Sequence, residues 1–177
     1  MILSGEVFLE GKRAEKSGMQ VDCDVKIEIA ARQQKYVSRG GFKLEGALRD
    51  FSIDPTGFVC VDIGASHGGF TDCLLQHGAG RVCAVDVNVE QMDWKLQHDP
   101  RVVRIKRNAR ELRTSDVPGL VDLVVIDVSF ISVCKVIAPA LAAAKPGASF
   151  LILIKPQFEL PRKAIARGGI VSDKELH

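Results

Sequence analysis

The sequence predicts an α/β fold built on a mostly parallel sheet with helices on both faces. From about residue 35 onward, short apolar runs alternate with segments of helical periodicity. The runs are continuously apolar, which is typical of strands that are covered on both faces. A chain of 177 residues that is 46% hydrophobic and 26% charged can bury one such core and carry a small appendage.

The first part of the chain has a different pattern. Two runs of alternating polarity, GEVFLEG (5–11) and VDCDVKIEIA (21–30), flank the polar stretch KRAEKSG. This pattern predicts a hairpin-like pair of strands. Because such a piece is too small to fold alone, we predict two domains, residues 1–34 and residues 35–177.

The elements of the larger part follow in order. The predicted strands are FVCVDIG (58–64), RVCAVDV (81–87), RVVRI (101–105), VDLVVIDV (121–128) and SFLILIK (149–155). The predicted helices are 38–51, 69–77, 89–97 and 132–144. Leu44, Leu48 and Phe51 have the spacing of one buried stripe on the first helix. Gly78 can end the second helix as a C-terminal cap, and Pro139 is expected to bend or break the last.

A glycine-rich loop, GASHGGF (64–70), follows the first predicted strand of the sheet. Ligands of open α/β sheets bind at the carboxyl ends of the strands. A dinucleotide fingerprint requires glycine where this chain has Ser66, so a loop that grips pyrophosphate is disfavoured. S-adenosylmethionine (SAM) contains adenosine but no phosphate, and its amino-acid end needs backbone N–H groups and an acid such as Asp62. Asp86 can accept hydrogen bonds from the ribose hydroxyls. The alternative is that the glycines only make a tight turn and that Asp86 only ends a strand.

Three charged residues are candidates for chemistry at the same edge of the sheet. Lys155 ends the last predicted strand, where partial removal from water favours the neutral amine that a general base needs. Asp127 ends the fourth strand, and Lys43 lies one position off the apolar stripe of the first helix. Each residue also has an ordinary structural explanation: a snorkelling lysine, a capping acid and a surface charge, respectively. Convergence of all three on one edge would be more informative than any of them singly.

The motifs of the chain, taken in order, closely resemble one family. They are VSRGGFKLEGAL, DIGASHGGFTDCLLQHGA, AVDV, WKLQHDPRV, IDVSFIS, KPQFE and GGIVSDKELH. These motifs, which lie between about Gly5 and His177, are similar to those of the TlyA family. That family comprises hemolysin-named relatives of the FtsJ-type ribosomal RNA 2′-O-methyltransferases.

The resemblance implies a Rossmann-like, SAM-dependent enzyme that methylates ribose 2′-hydroxyls of ribosomal RNA with a Lys-Asp-Lys-Glu set. Lys43, Asp127 and Lys155 match the first three members. The family's glutamate lies on a later strand, so Glu159 is not assigned that role. Asn108 and Ala109 match the family's adenine contacts. The resulting candidate cofactor residues are Asp62, Gly64, Ala65, Ser66, His67, Gly68, Gly69, Phe70, Asp86, Asn108 and Ala109.

The resemblance also bears on the two ends of the chain. The N-terminal piece resembles the second half of an S4 RNA-binding module, whose helical first half would precede Met1. The family's sheet has seven strands, of which five are readable here, so the last readable strand is expected to be an unpaired edge. We therefore expect the chain to be part of something longer, truncated at both ends, with ribosomal RNA or a ribosomal subunit as its partner.

Composition and charge narrow the classes of function that remain. The net charge is only +2, so RNA contact requires a local patch. Residues 95–113 offer one, with seven basic residues against two acidic ones; the alternative is a solvated basic face. Five scattered cysteines, no signal peptide and no apolar run long enough to cross a bilayer indicate a cytoplasmic protein. The histidines and cysteines show no metal-ligand spacing.

Rival functions stay open at the level of sequence. Amine methylation of a base usually uses an Asn/Asp-Pro-Pro-aromatic turn, where this chain has DVSF. Cytosine C5 methylation needs a nucleophilic cysteine, and Cys134 is expected instead to pack inside a helix interface. The hemolysin name suggests a cytolysin, although no segment has the amphipathic pattern of a pore former. A non-catalytic RNA-binding relative is the third alternative.

Overall fold

The computed structural model describes residue 2 and residues 7–29, 35–166 and 168–171. The chain divides into two compact units, Met1–Lys35 and Tyr36–His177. Parts of the predicted N-terminal runs, at positions 5, 6 and 30, and most of the GGIVSDKELH motif lie outside the described residues.

The smaller unit contains three short antiparallel strands: β1 (Val7–Leu9), β2 (Lys12–Arg13) and β3 (Ile27–Ile29). Their order is β2-β1-β3, so β1 pairs with a strand from each side. β1 and β3 come from the two runs of alternating polarity. The polar stretch between the runs contributes β2, which the sequence does not predict. The likeness to an S4 module stays a prediction.

The larger unit is a five-stranded sheet with helices on both faces. Its strands are β4 (Val59–Ile63), β5 (Arg81–Asp86), β6 (Val102–Lys106), β7 (Val121–Ile126) and β8 (Ala144–Ile152). The strand order is β6-β5-β4-β7-β8, and every neighbouring pair is parallel. This arrangement confirms the predicted fold class. The order reverses direction between β4 and β7, which is where ligands of such sheets bind.

The helices of this unit are α1 (Gly40–Asp50), α2 (Gly69–Gln76), α3 (Trp94–Gln97), α4 (Cys134–Ala143) and α5 (Pro156–Glu159). Two apolar clusters cover the two faces of the sheet. One joins Leu44 of α1 and Leu74 of α2 to Cys60 of β4, and the other joins Val136 of α4 to Val61 of β4. Adjacent residues of β4 therefore point into different clusters, which explains its continuous apolar run. None of the helices within the described residues is both long and apolar enough to cross a bilayer.

Three predicted helices differ from those observed. The predicted helix 89–97 is a 3₁₀ turn at Val89–Gln91 followed by the short α3, because Asp93 is extended and its carboxylate caps Lys95 N at 3.0 Å. Phe51 was expected on a buried stripe, but α1 ends at Asp50 and Phe51 is 70% exposed. Pro139 lies inside α4 without dividing it. In β8 the regular ladder begins at Ser149, as predicted, after an irregular start at Ala144.

Close packing at the start of α1 gives a test of this fold. A Cβ at Gly41 would overlap the ring of Tyr36, which is fully buried, whereas a Cβ at Gly46 of the same helix would meet nothing within 4 Å. We expect Gly41→Ala to lower the free energy of unfolding by about 1–3 kcal/mol through overpacking. Gly46→Ala should raise it by about 0.5–1 kcal/mol through helix propensity. Urea denaturation of both variants checks this, and equal effects of the same sign would contradict the packing described.

Candidate functional site

The carboxyl ends of the central strands lie in register, and this brings the candidate residues together. Ile63 of β4 is paired with Val85 of β5 and with Ile126 of β7. Past the strand ends, Gly64 N donates to Val85 O at 2.9 Å and Asp127 N donates to Ile63 O at 3.0 Å. Gly64, Asp86 and Asp127 therefore meet at one edge of the sheet, as the sequence predicts from their positions after the apolar runs.

The glycines of the loop allow close packing at this edge. Gly64 has a φ of 87°, and a Cβ there would lie 2.6 Å from the carbonyl oxygen of Asp127. A Cβ at Gly68 would overlap Leu96, and a Cβ at Gly69 would overlap Ser38. Each glycine thus has a packing reason of its own. These contacts are compatible with the alternative that the glycines serve only the turn, and the ligand-binding role of the loop stays a prediction.

Asp86 holds the loop in place from the end of β5. Its Oδ2 accepts a hydrogen bond from Ser66 N at 2.9 Å, and its Oδ1 accepts one from Asn88 N at 2.9 Å. Ser66 has a φ of 49°, a left-handed conformation that this anchoring supports. A carboxylate has about four acceptor sites, so two backbone contacts leave capacity for a diol.

Asp127 binds both candidate lysines. Its Oδ1 lies 2.5 Å from Lys155 Nζ, and its Oδ2 lies 3.8 Å from Lys43 Nζ. Lys155 also donates a hydrogen bond to Ser129 Oγ at 2.8 Å. The side chains of Asp127 and Lys155 are 18% and 19% exposed, whereas that of Lys43 is 53% exposed. The three residues therefore form one ion-pair network, which makes an isolated snorkelling lysine a poor explanation of Lys155.

Two clefts open along this edge of the sheet. The wide cleft, of about 1020 Å³, is lined by the ends of β4, β5 and β7 and by the loops after β6, β7 and β8. The narrow cleft, of about 510 Å³, contains Lys43, Asp127 and Lys155. Both clefts are lined by Gly64, Ser66, Asp127 and Ser129. The ion-pair network therefore lies where the two clefts adjoin.

The other candidate residues divide between these clefts. Asp86, Asn108 and Ala109 line the wide cleft. Ala65, His67, Gly69 and Phe70 line the narrow cleft. Asn108 Oδ1 caps the 3₁₀ turn Ala109–Glu111 by accepting from Arg110 N at 3.1 Å. Gly68 and Asp62 are not among the lining residues of either cleft.

Asp62 is fully buried beneath the loop. Its Oδ2 accepts a hydrogen bond from Thr71 Oγ1 at 2.6 Å, and its Oδ1 has no hydrogen-bond partner among the described residues. Burial raises the pKa of this carboxyl to about 7, although the Thr71 contact acts in the opposite direction. In this geometry Asp62 supports the start of α2 and lines neither cleft. A contact between Asp62 and the ammonium of a cofactor stays a prediction.

Sequence reasoning missed three residues of the site. Ser129 binds Lys155, Phe130 is 92% exposed with a φ of 64°, and Glu159 binds the start of α4. All three belong to the DVSF and KPQFE stretches, whose position after strand ends was the available signal. The polar contacts of Ser129 and Glu159 join residues 26 to 27 positions apart, which no local pattern reveals.

The basic stretch 95–113 is partly neutralised. Arg101 pairs with Asp99 at 2.7 Å and Arg107 pairs with Asp116 at 2.8 Å. Arg104 lies 3.6 Å from Glu90. Lys95, Lys106, Arg110 and Arg113 form no ion pair with the described residues. These four cations, rather than all seven, are the ones without an acidic partner there.

The surroundings of the described cysteines and histidines are not those of a reactive thiol or a metal site. Cys134 is exposed at the start of α4, so the expectation that it packs inside a helix interface is wrong, and it lines neither cleft. Burial raises the pKa of Cys60 to about 12 and that of Cys83 to about 11, which disfavours the thiolate. Among the described residues, no three histidine, cysteine or carboxylate side chains are grouped to hold a metal ion.

The fold is Rossmann-like, and comparison with known proteins shows that it is that of a methyltransferase and gives the family. The FtsJ-like methyltransferase family matches residues 36–177. The chain is 42% identical, over 99% of its length, to the 16S/23S rRNA (cytidine-2′-O)-methyltransferase TlyA of Mycobacterium tuberculosis, of which it covers 66%. It is also 42% identical to Hemolysin A of Brachyspira hyodysenteriae over 99% of its length, covering 74% of that protein. The chain therefore belongs to the FtsJ-like methyltransferase family.

A solved structure supports the same relationship. A hemolysin-named protein from Streptococcus thermophilus superposes with a TM-score of 0.83 at 39% identity, covering 99% of this chain and 65% of that one. The predicted resemblance to the TlyA family is thus confirmed. The chain spans slightly less than two thirds of the TlyA relative and of this solved chain.

The buried carboxyl of Asp62 gives a pH prediction. Between its ordinary pKa of 3.8 and about 7, the folded state keeps a proton that the unfolded state has lost. The free energy of unfolding should therefore fall as pH rises through this window. Asp62→Asn keeps an acceptor for Thr71 and removes the titration. The stability of wild type relative to this variant should fall by up to about 1.4 kcal/mol per pH unit between pH 4.5 and 7.

Urea denaturation across that range measures the difference, and Asp122→Asn is the control. The Lys145 ammonium holds the pKa of Asp122 below its ordinary value, so its contribution is lost only on acidification below that range. Its offset should stay constant above pH 4.5. A constant offset for Asp62→Asn as well would contradict the burial described for Asp62.

Proposed function

We propose that this chain carries the methyl-transfer site of an enzyme that methylates ribose 2′-hydroxyls of ribosomal RNA with SAM. The observation that supports this most strongly is the Lys43–Asp127–Lys155 network at the junction of two clefts. One cleft offers room for a nucleoside donor and the other for an acceptor hydroxyl. A transfer reaction needs such adjoining spaces, because donor and acceptor must meet in line.

The wide cleft fits the adenosyl part of SAM in the chemistry of its lining. Asp86 at the end of β5 offers acceptors for a ribose diol, and Asn108 and Ala109 follow β6 where an adenine edge can be bound. Gly64 lets the end of β4 pack closely against the Asp127 backbone, where a Cβ would lie 2.6 Å from the carbonyl oxygen. The amino-acid end would extend along the loop toward Gly69, where the first N–H groups of α2 begin. When bound, SAM supplies an electrophilic methyl group.

In the narrow cleft, Lys155 acts as the general base. Nζ of the neutral amine accepts the proton of the 2′-hydroxyl, and Asp127 Oδ1 stabilises the ammonium that results. Lys155 Nζ lies 2.5 Å from Asp127 Oδ1, so this carboxylate is placed to balance the charge that Lys155 gains with the proton. Lys43 holds the other oxygen of Asp127 from a more exposed position and shares the charge of that carboxylate. Ser129 fixes the orientation of the amine.

We propose ribosomal RNA as the substrate because the relatives at 42% identity include a protein named for ribosomal RNA 2′-O-methylation. Arg110 lines the wide cleft, Lys106 ends the edge strand β6, and Lys95 lies in α3, which precedes that strand. Such unpaired cations can contact phosphates. The N-terminal unit would be an S4-like RNA-binding piece, in the domain division 1–34 and 35–177. The enzyme would act in the cytoplasm, on ribosomal RNA or a ribosomal subunit.

Substitution of Lys155 tests this function. Lys155→Met removes the proposed base and keeps the length of the side chain, so methyl transfer should fall by at least 100-fold. Asp127→Asn should cause a similar loss. The affinity for SAM should change by less than about threefold, since neither change alters the residues proposed for adenosyl binding. Mass mapping of ribose methylation on ribosomal subunits, with calorimetry for SAM, gives both quantities.

Lys145→Met is the matched control. Lys145 also pairs with an aspartate, Asp122, at 2.6 Å, but at the opposite end of the strands. The Lys145→Met variant should transfer methyl groups at the wild-type rate. Full activity of Lys155→Met with normal SAM binding would place the base elsewhere. Wild-type protein that binds RNA but does not bind SAM would indicate a non-catalytic relative. Leakage of liposomes without methyl transfer would favour the cytolysin that the hemolysin names suggest.

A further inference from the structure

Glu159 makes contacts that the proposed chemistry does not use. Its Oε2 accepts a hydrogen bond from Ser132 Oγ at 2.6 Å, and its Oε1 accepts one from Val133 N at 2.8 Å. Ser132 and Val133 immediately precede α4, where backbone N–H groups lack helical partners and a negative charge is favoured. Both oxygens of this carboxylate are thus committed to the loop that follows β7.

An aromatic contact joins the same two loops beside these hydrogen bonds. Phe158 packs against Phe130, with ring centroids 5.2 Å apart and an interplanar angle of 46°. Phe130 belongs to the loop after β7 and Phe158 to α5 after β8. The loop after β8 is therefore held to its neighbour by a carboxylate and by a ring at successive positions.

These contacts bear directly on Lys155. Phe158 N donates to Lys155 O at 2.8 Å, which closes the turn of α5 between Lys155 and Glu159. β8 ends at Ile152, and the last backbone hydrogen bond joining it to β7 is donated by Leu153 N to Ile126 O at 2.9 Å. Beyond that bond the sheet no longer fixes the distance between the two loops.

The partners of Lys155 lie on the opposite loop. Asp127 and Ser129 follow β7, and both are within hydrogen-bonding distance of Lys155 Nζ. We infer that Glu159 is a positioning residue: it latches the loop after β8 to the start of α4 and thereby sets Lys155 against Asp127 and Ser129. The catalytic part of this inference rests on the proposed function, whereas its geometric part does not.

The test compares three substitutions of Glu159 in the full chain. Glu159→Ala removes the acceptors, and Glu159→Met removes them while keeping the volume. Glu159→Gln keeps an acceptor for Val133 N. We expect Glu159→Ala and Glu159→Met to lower kcat about 10- to 100-fold. Glu159→Gln should recover activity to within about fivefold of wild type; the recovery is incomplete because neutral hydrogen bonds are weaker than charge-assisted ones. KM for RNA should change by less than threefold.

Crystal structures of the variants give a readout that needs no activity. In Glu159→Ala the separation of Lys155 Nζ and Asp127 Oδ1 should increase beyond the 4.0 Å limit of an ion pair, from 2.5 Å in the wild type. Asp54→Asn is the matched control, because the Asp54 carboxylate also accepts two short contacts, from Thr56 N at 3.0 Å and Thr56 Oγ1 at 2.6 Å, away from both clefts. It should leave kcat and the Lys155 pair unchanged.

The outcomes separate the latch from its rivals. An unchanged Lys155–Asp127 pair in Glu159→Ala, or full activity of Glu159→Met, would overturn the inference. If wild-type protein transfers no methyl group, the proposed function fails, and the crystallographic distance still decides whether Glu159 positions Lys155. If Glu159→Ala does not fold, the same distance in Glu159→Met and the partial recovery in Glu159→Gln decide it.

Discussion

The carboxylate of Asp127 lies between two ammonium groups, and the arrangement of the site depends on that shared charge. Lys155 lies in the loop after β8 and Lys43 in α1, so two segments far apart in the chain meet on one side chain. The sheet makes this possible because β4 and β7 end in register and Gly64 lets their ends approach closely. A carboxylate that binds two cations while mostly withdrawn from water is held in a geometry that a surface ion pair would not impose.

Around this network, other carboxylates hold the loops and the start of α2 in place. Asp86 holds the glycine loop through Ser66 N and the turn after β5 through Asn88 N, and Asp62 supports the start of α2 through Thr71. Glu159 joins the two loops that carry Asp127 and Lys155. Three carboxylates thus hold the surrounding backbone in place, and a fourth, Asp127, lies where the two clefts adjoin.

The sequence was sufficient for the sheet and for the convergence of the candidate residues, because apolar runs that end in polar residues mark the carboxyl ends of parallel strands. It was insufficient where a contact distant in the chain overrides local pattern. The helix predicted at 89–97 is interrupted where Asp93 N donates to His67 O, from the glycine loop. Asp62 has the spacing of a ligand-binding acid, and only its burial shows that it faces inward. The roles of Ser129 and Glu159 likewise depend on which loops become neighbours.

A crystal structure with S-adenosylhomocysteine, which has the adenosyl and amino-acid parts of SAM without the transferred methyl group, tests the central claim most directly. The account predicts that the ribose hydroxyls contact Asp86. It also predicts that the sulfur lies at the junction lined by Gly64, Asp127 and Ser129, with its open side toward Lys155. A ligand bound elsewhere, or a sulfur directed away from the narrow cleft, would contradict the account.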